Sequence, residues 1–137
     1  MYAQTPTGIY FVTKPAKRSF CEHPIKTYFG KTSLCISKKP IVGIDGIEYV
    51  SNILYDPLLQ VNYIDVGLSP ASVSILNKVY QSMPGSQLAF VVQEKVLGRF
   101  VVDRTIVNRT MNIGKDLDLN QLKVLLDLLR QEDLKKD

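Results

Sequence analysis

Two cysteines and the single histidine of the chain are the residues whose types could bind a metal. Cys21, His23 and Cys35 offer soft ligands, and Glu22 lies between the first two. A closed structural zinc site needs four such ligands, and the spacing here matches no zinc module. We therefore predict that the chain binds no metal, and no motif indicates another cofactor.

The same two cysteines leave two alternatives open. If the protein is exported, Cys21 and Cys35 could form a disulfide. A hairpin that turns at Gly30–Lys31 would not place these two residues opposite each other, which counts against the bond. Two buried free thiols are therefore an equal alternative.

No side chains follow the order of a catalytic site. His23 has no nearby serine or acid in a recognisable arrangement, and the segment Gly43–Gly46 lacks the spacing and the lysine of a phosphate-binding loop. Asp65, Asp103 and Asp116 could converge, but we interpret them as capping or solvated groups at strand ends and loops. We predict that the protein is not an enzyme and has no catalytic residues.

The positive charge of the chain is concentrated near its N-terminus. Residues 1–39 hold seven Lys or Arg against one Glu, a net charge of +6, whereas residues 40–137 hold ten against twelve, a net charge of −2. Such a patch could bind phosphates or an acidic lipid surface, or it could be a solvated sheet face whose lysines protect a strand edge. We prefer the solvated face. The patch consists of Lys14, Lys17, Arg18, Lys26, Lys31, Lys38 and Lys39.

Two helices must position whatever site the second half of the chain contains. Ser69 and Pro70 are typical of an N-cap and a first helical position, and an apolar stripe follows until Pro84-Gly85. Asp118 and Gln121 form a capping-box pattern, and a leucine stripe follows from Leu122 to Leu129. Each stripe predicts a helix that buries one side.

Alternating residues predict the strands. Gly8–Thr13, Thr32–Ser37, Leu58–Val66 and Asn108–Ile113 are strand-like, and the runs 88–92 and 96–102 predict a hairpin that turns at Gln93-Glu94-Lys95. Between them, Asp45 and Glu48 repeat the capping pattern. Because Ile47, Val50, Ile53 and Leu54 have helical spacing, we expect a short helix that ends near Asp56-Pro57.

We expect one domain over residues 1–137. Its parts are a basic N-terminal β extension at 1–39, an α+β unit at 40–131 and a frayed tail at 132–137. No apolar run approaches the roughly 20 residues that span a bilayer. Ala3 followed by a polar segment indicates a cleaved export leader that ends near Ala3, and hence a location in the periplasm or cell envelope; an unprocessed cytoplasmic start is the alternative.

Residues 40–131 resemble the periplasmic head domain of the SecD and SecF protein-export membrane proteins. The resemblance is carried by the Ser69-Pro70 helix, the strand Gly85–Val92, the strand end Ile113-Gly114 and the leucine-rich helix entered through Leu117–Leu122. The chain departs from the family pattern in two places. Gln93-Glu94 replaces an aspartate-glycine turn, and Phe100 stands near the position of a proline.

The resemblance implies a ferredoxin-like antiparallel sheet with two main helices on one face. It also implies an exported accessory domain that binds an extended or unfolded polypeptide or another envelope protein. The coupling of export to a proton gradient belongs to intramembrane residues of that family, so it does not transfer to this chain.

Two alternatives from other classes remain. The strand Leu97–Val102 faintly resembles the Gly-aromatic strand of RNA-recognition domains, although further aromatics are missing, so nucleic acid is an unlikely partner. A small ferredoxin-like hydrolase would need an anion site, for which the candidates are Asn108, Arg99, Arg104 and Arg109.

Overall fold

The computed structural model describes residues 5–13, 21, 23–29, 33–102, 105–106 and 108–131, and the backbone of 135–136. Its elements, in chain order, are β1 (Gly8–Phe11), β2 (Pro24–Lys26), β3 (Ser33–Cys35), β4 (Val42–Gly43), β5 (Ile47–Asp56), β6 (Val61–Leu68), α1 (Pro70–Ser82), β7 (Gln87–Val92), β8 (Lys95–Val101), β9 (Thr110–Ile113), α2 (Leu119–Gln131) and β10 (Lys135–Lys136). The predicted α+β class is confirmed.

The strands are divided between two four-stranded sheets and a hairpin. The first sheet has the order β4-β1-β7-β8, the second has the order β10-β5-β6-β9, and β2 pairs with β3. The antiparallel sheet expected from the resemblance is thus present as two sheets, of which β8 and β9 are each the last strand. Pairing among these strands is antiparallel except for the short contact of β10 with β5.

Both helices pack on the same side of the strands, as the sequence predicted. The buried apolar residues of α1 and α2 belong to one core that also holds the inner faces of both sheets. Phe90 from the first sheet and Ile64 from the second are fully buried in it. The opposite face of the first sheet forms a second core around Tyr10, which the β2–β3 hairpin covers with Ile25.

The caps predicted for the two main helices are present. The Ser72 amide donates to the Ser69 hydroxyl at 3.1 Å, which fixes the start of α1. At α2, the Gln121 amide donates to Asp118 Oδ1 at 2.8 Å, and the Asp118 amide donates to Gln121 Oε1 at 3.1 Å. This reciprocal pair is a capping box, so local sequence alone specifies both helix starts.

The short helix expected after Asp45 was a wrong prediction. A three-residue 3₁₀ turn, Ile44–Gly46, leads directly into the ten-residue strand β5. The pairing of β5 with β6 shifts register between Ile47 and Tyr49 and again between Val50 and Ile53. Each shift adds a residue to β5, so apolar residues three apart reach the same face of a strand. The two bulges therefore allow residues with helical spacing to share one face of a strand.

The N-terminal strands are part of the main architecture, not an appended extension. β1 lies between β4 and β7, and Ile9 and Tyr10 are both fully buried on its opposite faces. The tail also differs from the prediction, because Lys135–Lys136 pair in parallel with Tyr49 and Val50 instead of fraying. Residues 132–134 and 137 lie outside the described part of the chain.

The turn between β7 and β8 forms without an aspartate-glycine pair. Gln93 and Glu94 both have positive φ, 50° and 67°, and Val92 pairs with Lys95 across them. Positive φ at both central residues is the geometry of a two-residue hairpin turn. The turn is thus retained without the glycine that would adopt it at least cost.

Candidate functional site

A cleft separates the edge strands of the two sheets. Its volume is 510 Å³, within the usual range of about 300 to 1,000 Å³ for ligand pockets. Phe100 and Val101 contribute one wall, Thr110 and Asn112 contribute the other, and Lys115 lies at one end. β8 and β9 are each the edge strand of their sheet, and residues of both strands line this one cleft.

Backbone groups on both walls point into this gap. The Val102 amide donates to the Ser86 carbonyl, and because successive residues of a strand alternate in direction, Arg99 and Val101 direct their amides and carbonyls away from β7. Among the described residues, no backbone hydrogen bond of Arg99 or Val101 on that side is found.

The β9 edge has the same property. The Leu68 amide donates to the Arg109 carbonyl, which sets Met111 and Ile113 as the residues that pair with β6. Thr110 and Asn112 therefore direct their amides and carbonyls away from the sheet. Two edges that are open at the cleft thus line it within the described structure, whereas nearer the start of β8 the Val96 carbonyl accepts from the Tyr28 amide.

Apolar side chains form the floor of the cleft. Leu76 of α1 and Met111 of β9 are buried there, and Val102 continues the floor from the end of β8. Asn77 fixes the neighbouring loop, because its Oδ1 accepts from the Ile106 amide at 2.8 Å and its Nδ2 donates to the Ile106 carbonyl at 3.3 Å. The floor is therefore preformed and apolar.

The rim is polar and is positioned by the start of β9. Thr105, Asn108 and Lys115 line it. Arg109 adopts φ 58° and donates from Nε to the Leu68 carbonyl, and its guanidinium forms an ion pair with Glu48. This left-handed residue ends the loop and aligns Thr110 along the cleft, since it is anchored to both β5 and β6.

The outer face of the second sheet holds a half-buried carboxylate. Asp65 lies opposite Asn112 on β9, and its Oδ1 is buried without a hydrogen-bond partner in the described part of the chain. Burial raises the pKa of Asp65, and the nearby Lys115 ammonium partly lowers it. Lys115 also lies 5.6 Å from the centre of the Tyr63 ring. Asp65 faces away from the core and is neither a cap nor a fully solvated group.

The two cysteines are joined. Cys21 and Cys35 form a disulfide with their Cα atoms 5.8 Å apart. Cys35 is the ladder partner of Pro24, so Cys21 reaches it from beyond the strand end and not from an opposed position. His23 instead contacts the Thr5 hydroxyl at 3.0 Å. Within the described residues, no group of three His, Cys, Asp or Glu side chains could hold a metal ion.

The predicted basic patch is described in part. Lys26 on β2 and Lys38 and Lys39 before β4 are exposed, and in the described part of the chain none of the three forms an ion pair. The remaining four patch residues, Lys14, Lys17, Arg18 and Lys31, lie outside the described residues.

The arginines, Asn108 and the remaining acidic residues that the sequence offered as site candidates do not come together in one site among the described residues. Arg99 donates to Gln87, whereas Arg109 pairs with Glu48, so these two arginines have different partners. Asn108 lines the cleft, and Asp116 lies beside a smaller pocket at the start of β8. Glu22, Asp103 and Arg104 lie outside the described residues.

Sequence reasoning did not find the cleft. Its walls are ordinary strand residues whose functional groups are backbone amides and carbonyls, and only the folded structure shows that two strand edges line one cleft. The structure itself marks the edge, because Val101 is an apolar strand residue with 51% of its surface exposed, as expected at an unpaired edge.

Comparison with known proteins supports the fold. A solved structure titled "Crystal structure of SecDF in Super-membrane-facing form" superposes with a TM-score of 0.58 at 11% sequence identity. The match covers 79% of this chain and 16% of that one. No family model matches the chain, and no curated protein matches it. Among the described helices, none is long and apolar enough to cross a membrane. The chain therefore has a SecD/SecF-like fold.

Proposed function

We propose that this chain is a non-enzymatic binding domain that accepts an extended segment of another protein between β8 and β9. The observation that carries the proposal is the pair of open strand edges that line one cleft. An added strand gains affinity from main-chain hydrogen bonds, which do not depend on the sequence of the bound segment. Such a site suits unfolded or extended polypeptides of many sequences.

The walls and floor suggest what the bound segment presents. A strand in the cleft directs alternate side chains to opposite faces. One set meets the apolar floor around Leu76 and Met111, and the other meets solvent and the rim at Asn108 and Lys115. We expect segments that alternate apolar and polar residues to bind best, because this pattern matches both faces.

The proposed setting is outside the cytoplasm, in an accessory role in protein export. The SecD/SecF-like fold supports that role. The Cys21–Cys35 disulfide supports the location, because such bonds persist in oxidising compartments. Fractionation of cells followed by labelling of free thiols tests the location. A reduced pair in the cytoplasmic fraction would contradict it.

Proline substitution tests the strand-addition site. Val101→Pro and Asn112→Pro each remove an amide that points into the cleft and is not used to pair with β7 or β6, so the fold should be retained. The matched controls Val101→Ala and Asn112→Ala keep the amide. The probe is a fluorescently labelled peptide in which valine alternates with serine and threonine, followed by fluorescence anisotropy.

We expect each proline variant to weaken peptide binding by about tenfold, since a hydrogen bond is lost and the proline ring obstructs the edge. The alanine controls should bind within about threefold of the wild type. Equal affinity of the proline and alanine variants would exclude strand addition at this cleft. A loss of affinity in Lys26→Ala instead, steep in salt, would favour the anionic-partner alternative.

A further inference from the structure

The turn between β5 and β6 is the most exposed apolar feature of the described structure. Leu58 has 93% of its surface exposed and Leu59 has 60%, and Tyr55 beside them has 57%. These three lie within five consecutive residues at the end of the two longest strands. An exposed apolar cluster of this kind is typical of a surface that contacts a membrane or another protein.

The turn holds the two leucines outward. Asp56 Oδ1 accepts from the Leu58 amide at 2.9 Å and from the Leu59 amide at 3.2 Å. Gln60 then adopts φ 55° and returns the chain to β6. The leucines are thus fixed in an exposed arrangement before any partner binds, which lowers the entropy lost on binding.

The tip of the turn has no formal charge, which favours its insertion into a lipid bilayer. No residue from Pro57 to Ile64 carries a formal charge. The nearest carboxylate, Asp56, already accepts two amide hydrogens within the turn. Leu58 and Leu59 can therefore enter an apolar phase without taking a charged residue of segment 57–64 with them, while Asp56 keeps its charge and stays on the water side.

The residues behind the leucines suit the headgroup layer. Tyr55 is exposed and Tyr63 is half-buried, and tyrosine is enriched where a membrane meets water. Lys115 lies 5.6 Å from the Tyr63 ring centre and can reach a lipid phosphate. From the tip inward, the order is apolar, aromatic and cationic, which matches the order of a bilayer surface.

We propose that the β5–β6 turn inserts Leu58 and Leu59 into the surface of a phospholipid bilayer, with Tyr55, Tyr63 and Lys115 at headgroup level. The leucine tip lies outside the cleft between β8 and β9, although Lys115 also lines one end of that cleft. It would hold the domain at a membrane surface through a turn and not through a spanning helix.

The absence of tryptophan from the sequence makes a direct test possible. The variant Leu58→Trp carries a single tryptophan at the tip, and its emission is measured with vesicles of phosphatidylethanolamine and phosphatidylglycerol. We expect a shift to shorter wavelength on adding vesicles. The control Leu119→Trp, on an exposed leucine in the first turn of α2, should show no shift.

A second measurement uses charge at the tip. Leu58→Asp and Leu59→Asp together should lower the vesicle partition coefficient by about tenfold or more, whereas Leu119→Asp should not change it. Both sites are exposed, so the variants should fold. Unshifted emission of Leu58→Trp, or equal partition of the tip variant and the wild type, would overturn the proposal and leave a protein pocket as the partner of the turn.

Discussion

The contact between Tyr49 and Gly67 offers a sharp test of the β5–β6 pairing. Gly67 is the ladder partner of Tyr49, and the tyrosine ring covers it on the outer face of the sheet. A Cβ added at Gly67 would lie 2.6 Å from Tyr49 Cζ and closer still to Cδ1 and Cε1. Gly67→Ala therefore forces the ring or the strand to move.

Two opposing effects set the magnitude. Replacing glycine by alanine inside a strand is worth about 0.5 to 1 kcal/mol, because less chain entropy is lost on folding. Forcing a side chain into an occupied position costs about 1 to 3 kcal/mol. In the wild-type background we expect Gly67→Ala to destabilise the fold, whereas in the Tyr49→Ala background it should stabilise by about 0.5 to 1 kcal/mol.

Urea unfolding of the wild type, both single variants and the double variant measures this coupling. The expected coupling energy is about 1 to 3 kcal/mol. If the effects of the two substitutions add within about 0.5 kcal/mol, Tyr49 does not lie over Gly67, and the bulged register of β5 is refuted.

Three further variants test other parts of the structure. Cys21→Ser with Cys35→Ser opens a loop with a sequence separation of 14, and urea unfolding should show a loss of about 3 kcal/mol. An unchanged midpoint would contradict the bond. Burial raises the pKa of Asp65, so wild-type stability should fall as pH rises from the ordinary aspartate value, about 3.9, through the raised folded value. Asp65→Asn should remove this decline, and an identical pH profile in the variant would refute it. Asp118→Ala removes the capping box of α2 and should cost about 1 kcal/mol by thermal unfolding, against no loss if the cap is dispensable.

The sequence predicted the two helices correctly because the contacts that start each helix join residues close together in the chain. The cap at Ser69 and the capping box at Asp118 each involve residues three apart, so sequence spacing and spatial contact coincide. The turn at Gln93-Glu94 was also placed correctly, since two alternating runs separated by a short polar segment specify a hairpin.

The sequence-based predictions that failed concerned features set by contacts between distant parts of the chain. Ile47, Val50 and Ile53 have helical spacing, yet two bulges set by pairing with β6 place them on one face of a strand. The strands form two sheets because β8 pairs with β7 and β9 pairs with β6. The sequences of β8 and β9 do not specify these partners. The candidate site lies at this separation, so its existence could not be predicted even where its residues were assigned to strands correctly.

The most direct test of the central claim is hydrogen exchange at the amides of Arg99, Val101, Thr110 and Asn112. In the free domain these four amides point away from the paired strands, those of Val101, Thr110 and Asn112 at the cleft itself, and should exchange rapidly, unlike the paired amides of Phe100 and Met111. Addition of the alternating valine peptide should slow exchange at all four, because an added strand bonds to both edges. Peptide binding that leaves these amides unprotected, or that protects the segment around Lys26, Lys38 and Lys39 instead, would contradict the account.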